Sequence, residues 1–434
     1  MRWIPLLAAA ALATLLPGCA ASNASPRSVQ TLGMARSFSG VLEEARTPVT
    51  ILISIDGFRA DYLDRGVTPT LTALAAGGIS AAMRPSFPSK TFPNHWTLVT
   101  GVRPDRSGIV SNNMEDPLLP GKKYTMEDSK DPFWWNAAEP LWVTAEKNHV
   151  RSATMFWPGS NVAWGGTMAK DWPNDLTGGT RPSDWWPFDM VIPGNRRVDG
   201  VIDWLRRPAE TRPEFITLYF DTVDSAGHKY GPGAPETTAA VQDVDAIIGR
   251  LLAQLQALGQ PANLVIVADH GMAETRLSRI VALDKIADPA LYRLFESGPF
   301  SSFYPTEGNA AALEKALLAP HDHLQCWRKA DIPARLHYGS NSRIPPYFCL
   351  AETGWLAVKT TPTKDGDHGN HGYDNMAPEM AALFIANGPA IRAGGRLPSF
   401  DNVDVAPLIR DLLKLPADPG LDGDDAPFRE ILIR

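Results

Sequence analysis

Four stretches of the sequence end in acids or imidazoles that could share one task. Val49 to Ile55, VTILISI, runs into Asp56-Gly57, and Glu214 to Phe220, EFITLYF, leads on to Asp224 and His228. Asn263 to Ala268, NLVIVA, ends in Asp269-His270-Gly271, and further on stands Asp367-His368-Gly-Asn-His371-Gly-Tyr-Asp374. Such a mixture suits a borderline-soft divalent ion such as zinc, with carboxylates supplying charge and neutral imidazoles supplying nitrogen. Asp56, Asp224, His228, Asp269, His270 and His371 offer more donors than one tetrahedral ion accepts, so two ions are expected. On spacing alone, His368 could take the place of His371. A pair of ions can clamp the attacking and departing oxygens of a phosphoryl transfer, and a metal-bound hydroxyl is a nucleophile near neutral pH. Thr91, in Pro88-Ser-Lys-Thr-Phe-Pro-Asn-His95, is the available hydroxyl.

Each residue also has a plainer explanation. An aspartate after a strand commonly closes a turn. Thr91 opens a helical stretch, TFPNHWTLVTG, where a hydroxyl can cap a free backbone N–H. Asn112, in Ser-Asn-Asn, can close a turn of its own. What favours chemistry is the recurrence of such residues after strand-like runs.

The elements that must position them follow from the same runs. Strands rich in Val and Ile alternate with helical stretches near Thr68 to Ala76 and Glu236 to Leu258, which implies an α/β fold with a mostly parallel sheet covered by helices on both faces. In open sheets of this type ligands bind beyond the carboxyl ends of the strands, so the acids and imidazoles are expected to converge on one edge. No internal repeat divides the body, and one catalytic domain over residues 47–434 is expected. Two stretches interrupt it, the Trp-, Pro- and Gly-rich Asp171 to Asp189 and the polar Ala319 to Pro346.

The 434 residues are 44% hydrophobic and 21% charged, enough to bury a large core rather than remain disordered. Lys and Arg number 41 against 48 Asp and Glu, a net charge of -7 without long runs of one sign, so no nucleic-acid polymer is expected as partner. Residues 1–18 read as an export signal, too short to span a bilayer. Leu16, Gly18 and Cys19 fit a bacterial lipoprotein processing site, although Pro17 is an unusual choice there. Cys19 would then carry the lipid, residues 19–46 would form a tether, and the protein would reach the periplasm or outer membrane. Cys326 and Cys349 are left as an even pair, for which an oxidising compartment permits a disulfide.

The order Asp56-Gly57, Lys90-Thr91-Phe92-Pro93-Asn94-His95, Gly108-Ile-Val-Ser-Asn112, Asp224-x3-His228, Asp269-His270-Gly271 and His371-Gly-Tyr-Asp-Asn375 resembles the nucleotide pyrophosphatase/phosphodiesterase family of the alkaline phosphatase superfamily. The resemblance runs from about Thr50 to the C-terminus. It implies an alkaline-phosphatase-like core with loop insertions, two Zn2+ per chain, and hydrolysis of small phosphodiesters or pyrophosphates through a phosphothreonine at Thr91. By the same resemblance one zinc is held by Asp56, Thr91, Asp269 and His270, and the other by Asp224, His228 and His371. Asn112 would donate to a phosphoryl oxygen, and His95 would make a structural hydrogen bond.

On the substrate side, the resemblance makes Phe92 one wall of a slot for a base. Met155 to Ser160 keeps the family pattern, but where relatives carry Arg-Pro-Thr-Tyr this chain has Arg181-Pro182-Ser183-Asp184-Trp185. Asp184 cannot stack, so Trp185, or a tryptophan of the insertion that holds Trp164 and Trp172, is expected to replace the tyrosine. Two alternatives stand beside a nucleotide substrate: a choline- or glycerol-containing phosphodiester, and a non-catalytic surface lipoprotein that binds without turnover.

Overall fold

Val49–Ile55 is buried at every position, as a strand must be when helices cover both faces of its sheet. This strand, β1, lies inside an eight-stranded sheet of the computed structural model, which describes residues 46–126, 130–168, 176–364 and 366–433. The other strands are β2 (Ile79–Met83), β3 (Ser152–Met155), β4 (Asp184–Trp186), β5 (Phe215–Phe220), β6 (Ala262–Val267), β7 (Ala382–Asn387) and β8 (Gly395–Arg396), in the order β8-β2-β7-β6-β1-β5-β3-β4. β1 runs parallel to both β5 and β6, and β3 and β4 continue the parallel set. Only β7 is antiparallel to its neighbours β6 and β2, which makes the sheet mixed. Ile53 pairs with Leu218 on one side and Ile266 on the other, so β1, β5 and β6 finish nearly level.

The flanking helices include α1 (Pro69–Gly77), α2 (Thr91–Thr100), α3 (Gly194–Leu205), α4 (Thr222–Tyr230), α5 (Pro235–Ala257) and α6 (Val405–Leu412). They pack in two groups, α1, α3 and α4 against α5, and α2 against α6. α5 opens on a proline, whose missing N–H costs nothing at a first helical position. Residues 46–434 form one compact unit.

A second, four-stranded antiparallel sheet orders Tyr292–Glu296, Phe300–Pro305, Tyr347–Ala351 and Leu324–Arg328, with a small core around Phe303, Leu313, Leu317 and Tyr373. Its last strand lies inside Ala319 to Pro346, the polar stretch that interrupts the alternation of strands and helices. Cys326 faces Cys349 across two of its strands, and the two are joined in a disulfide. The expected signal at 1–18, Cys19, the tether up to residue 45 and Trp172 lie outside the described residues. Among the described residues no helix is long and apolar enough to cross a membrane.

Candidate metal centre and active site

Three neighbouring strands deliver their acids to one edge. Asp56 directly follows β1 and Asp269-His270 follow β6 after Ala268, while α4 begins two residues after β5 and carries Asp224 and His228 one turn apart on a single face. Gly57 makes this approach possible: its φ is +67°, and a Cβ there would come within 2.9 Å of the Asp224 Cα. Gly271 does the same for the next loop, since its Cβ would fall 2.0 Å from the Glu379 carbonyl oxygen. His371 arrives from a distant loop, carried by the pairing of Gly369–Asn370 with Ala273–Glu274. Its ring stacks on that of His270 at 3.5 Å between centroids. His368 is exposed and belongs to none of the groups able to hold an ion among the described residues.

Thr91 begins α2, with Lys90 as the N-cap and no side-chain cap bond. The Thr91 hydroxyl is turned to the metal centre instead, 3.3 Å from His270 Nε2. The other polar residues of its motif hold the loop in place. Asn94 donates to the carbonyls of Pro88 and Lys90, both at 2.9 Å, and accepts from the Ser86 N–H at 2.8 Å. Ser89 donates to the Tyr373 carbonyl at 2.8 Å while its own carbonyl accepts from His371 Nδ1 at 2.9 Å. His95 uses both ring nitrogens internally, Nδ1 on the Thr91 carbonyl at 2.9 Å and Nε2 on Ser54 Oγ at 2.8 Å.

The remaining imidazoles are oriented in one way. Nδ1 of His228, His270 and His371 each meets a backbone carbonyl at 2.9 Å, which leaves each Nε2 facing the acids with its lone pair. His270 Nε2 is 2.9 Å from Asp269 Oδ2 and 3.5 Å from Asp56 Oδ1. Asp224 places one oxygen 3.6 Å from His228 Nε2 and the other 3.7 Å from His371 Nε2. Asp56 Oδ1, Asp224 Oδ1 and Asp269 Oδ2 are buried without a hydrogen-bond partner among the described residues. Unpaired carboxylate oxygens in a dry site are costly, and nitrogen lone pairs aimed at them add no proton. Bound cations remove both problems at once, so the residues present fit a metal centre.

Burial sets most of the ionisations here; at His228 it lowers the imidazole, but the Asp367 and Asp224 carboxylates outweigh it and raise the group above its ordinary value. Burial, and after it the charges of Asp269 and Asp224, push the Asp56 carboxyl well above the usual carboxylate range. Burial likewise raises Asp224. For Asp269 burial acts in the same direction, but His270 and His95 beside it outweigh burial and hold the carboxyl well below that range. Burial, with His270 stacked alongside, drives the His371 imidazole well below its ordinary value and keeps it neutral, as a ligand must be.

A cavity of about 910 Å³ opens over this centre, with Asp56, Thr91, Asp224, His228 and His371 in its floor. Asn112 lines it beside Thr91, and its Oδ1 accepts from the Phe92 N–H at 2.9 Å. The two expected walls are placed elsewhere. Phe92 is fully buried among Tyr124, Trp135 and Phe188 and does not line the cavity. Trp185 is 40% exposed on the edge strand β4, against the Arg181 guanidinium, and also lies outside the lining. The aromatic surfaces that do line it are Phe188 and Tyr219, whose rings meet at 5.0 Å.

Residues 50–374 match the family described as type I phosphodiesterase / nucleotide pyrophosphatase. The chain belongs to that family, and it is a hydrolytic enzyme. An uncharacterized pyrophosphatase/phosphodiesterase of Schizosaccharomyces pombe is 37% identical over 392 residues, 85% of this chain and 77% of the yeast protein. The bis(5'-adenosyl)-triphosphatase of Bos taurus is 34% identical over 395 residues, 89% of this chain and 83% of its own. Against the mouse ectonucleotide pyrophosphatase/phosphodiesterase family member 1, 36% identical, the chain spans only 41% of the longer protein. Among solved structures, murine ectonucleotide pyrophosphatase/phosphodiesterase 5, an inactive threonine-to-alanine variant in complex with AMP, superposes with a TM-score of 0.82 at 31% identity, covering 89% of this chain and all of that one.

In this phosphodiesterase the sequence pattern did not point to Phe188. It follows Trp185 by three positions, past the Arg181-Pro182 anchor, and the aromatic-rich insertion offers several residues for one place. Tyr219 was hidden differently. It sits inside the strand run EFITLYF, where an aromatic reads as core, and only the preceding alternation of strand faces could have turned it toward Asp56.

Proposed function

We propose that this phosphodiesterase cleaves phosphodiester or pyrophosphate bonds of small substrates, nucleotide derivatives foremost, with Thr91 as nucleophile and two zinc ions as cofactors. The observation that carries this reading is the meeting of three carboxylate oxygens, without hydrogen-bond partners among the described residues, with three imidazole nitrogens beside the Thr91 hydroxyl. One ion would be held by Asp56, Thr91, Asp269 and His270, the other by Asp224, His228 and His371, and a mixed oxygen and nitrogen set suits zinc. When bound, the ions supply positive charge that favours the ionised hydroxyl and offsets the charge of the phosphoryl oxygens.

The chain's own groups define the course. A phosphoryl group at Thr91 Oγ1 lies over the N-terminus of α2, whose partial positive charge favours anions. The Phe92 N–H fixes Asn112 through its Oδ1, leaving the amide N–H groups to donate to a non-bridging oxygen in the transition state. Attack by the Thr91 oxygen forms the bond to phosphorus and breaks the bond to one ester or phosphate oxygen, which departs. The threonine proton leaves with the departing group; a water oxygen then bonds to phosphorus as the bond between Thr91 Oγ1 and phosphorus breaks, and a proton from that water restores the hydroxyl. AMP bound to an inactive threonine variant of the murine relative supports a nucleotide as the phosphoryl group's carrier. Phe188 and Tyr219 would form the apolar surface for its base.

A second reading has one observation behind it. Asp189 and Asp367 bring carboxylates to the cavity beside Phe188 and Tyr219, a combination that attracts a quaternary ammonium. Turnover of a nucleotide ester and a choline ester at equal zinc loading separates the two: preference for the nucleotide supports the main reading, and preference for choline replaces it. Export with lipid attachment at Cys19 completes the proposal and rests on the signal-like residues 1–18 and the Leu-Pro-Gly-Cys sequence.

A further inference from the structure

Asp56 and Asp269 flank the same candidate cation position, and a buried ring stands behind each, bonded to Asp56 and only close to Asp269. The Tyr219 hydroxyl donates to Asp56 Oδ2 at 2.7 Å. On the other side, His95 Nδ1 lies 3.4 Å from Asp269 Oδ2, whose companion Oδ1 accepts from the Gly57 N–H at 3.2 Å. The two supporting rings touch each other edge to face, 5.2 Å between centroids. His95 is immobilised by Ser54 and the Thr91 carbonyl, and Tyr219 by the bond from Arg197 to its own carbonyl at 2.8 Å.

We infer that Tyr219 is a positioning residue that aims Asp56 at its cation, and so sets how tightly one of the two ions is held. The inference rests on the two-ion reading above. Among the described residues Asp56 Oδ1 has no hydrogen-bond partner, so the phenol is the side-chain contact that fixes the direction of the carboxylate. Without it the group can turn within its dry pocket, and ion binding must restrain it. Hydrogen-bond partners of metal ligands typically change metal affinity by about 10–100-fold. Among the described residues no phenol bonds to Asp224, the acid of the other ion, so that ion serves as the internal reference for the change.

The test is Tyr219→Phe, which removes one oxygen and keeps the ring contacts with His95 and Phe188. Zinc content is followed by elemental analysis during titration with a chelator, alongside the thermal melting of the holoenzyme. The inference predicts that one ion is lost at roughly tenfold lower chelator than in the wild type and the other at the same chelator. Turnover of a small non-aromatic phosphodiester falls in step and recovers as zinc is raised, with KM unchanged. A variant that keeps both ions as tightly as the wild type, or loses both alike, overturns the role given to Tyr219. A melting shift without altered zinc retention marks a packing role and overturns it too. Wild-type protein that binds no stoichiometric zinc refutes the two-ion reading itself, and this role falls with it.

Discussion

The two sides of the cavity differ in what holds their side chains. On the metal side Asp269 and His270 are 0% exposed, Asp56 1% and His371 3%, and the orienting partners are backbone carbonyls or other buried groups. On the other side, Trp185, Trp186, Met190 and Val191 stand 40% to 84% exposed along one strap, and only Pro187, Phe188, Asp189 and Met190 of it reach the cavity. Strand ends and tight glycine turns confine the first side, as ions and in-line chemistry require. The second side is an edge strand followed by loop, where side chains can change with little cost to the fold. Chemistry is therefore assigned to the rigid side, and substrate choice to the strap.

Substitutions should separate the two sides sharply. Thr91→Ala should lower turnover of any diester by at least about a thousandfold even when zinc is supplied in excess and both positions are filled, because the attacking oxygen is lost along with one ligand of one ion. Kinetics and elemental analysis on one preparation would show it; retained turnover would move the nucleophile elsewhere.

A pH-dependent effect comes next, from the support behind the rigid side. Ser111, the neighbour of Asn112, donates to Glu296 Oε1 at 2.6 Å, and burial raises that carboxyl to about 7. Between the ordinary value of 4.5 and about 7 the folded protein keeps a proton that the unfolded chain releases, so this group costs stability progressively as pH rises through that window. Glu296→Gln keeps an acceptor for Ser111 without that cost. Its melting temperature should exceed wild type at pH 8 and approach it at pH 5, a gain of up to about 3 kcal/mol from the size of the shift. Equal differences at both pH values would contradict the assignment.

On the strap, Phe188→Ala should raise KM for a nucleotide ester by about tenfold, in line with roughly 1–3 kcal/mol for a stacked base, and leave kcat for a small non-aromatic ester unchanged. A kcat loss with both substrates would mean that the strap also shapes the metal side. Trp185→Ala should do least: within twofold in KM and within about 0.5 kcal/mol in stability, as for an exposed residue. A large effect on nucleotide KM would return the wall to Trp185.

The contrast also explains how much could be read from sequence. VTILISI-Asp and NLVIVA-Asp-His were legible because a buried parallel strand is a continuous apolar run and its ligand must follow at the end. α5, expected over Glu236 to Leu258, spans Pro235–Ala257 for a similar reason, a long amphipathic repeat. The strap had no such period. β4 is three residues long, and the position of Phe188 depends on how an insertion is spanned rather than on any local pattern. The four-stranded sheet escaped for the same reason, with the five-residue strand LQCWR inside a polar stretch. The structural hydrogen bond expected of His95 is present, Nδ1 on the Thr91 carbonyl and Nε2 on Ser54 Oγ, while the part Asn94 plays in holding the same loop had no signature in the sequence.

The most direct test of the central claim measures zinc and turnover on the same sample of purified chain, as isolated, after exhaustive chelation, and after zinc is restored. The account predicts close to two zinc ions per chain, activity that disappears with them, and recovery that tracks the second equivalent. A folded, metal-stripped protein that still hydrolyses its diester at the original rate would contradict it.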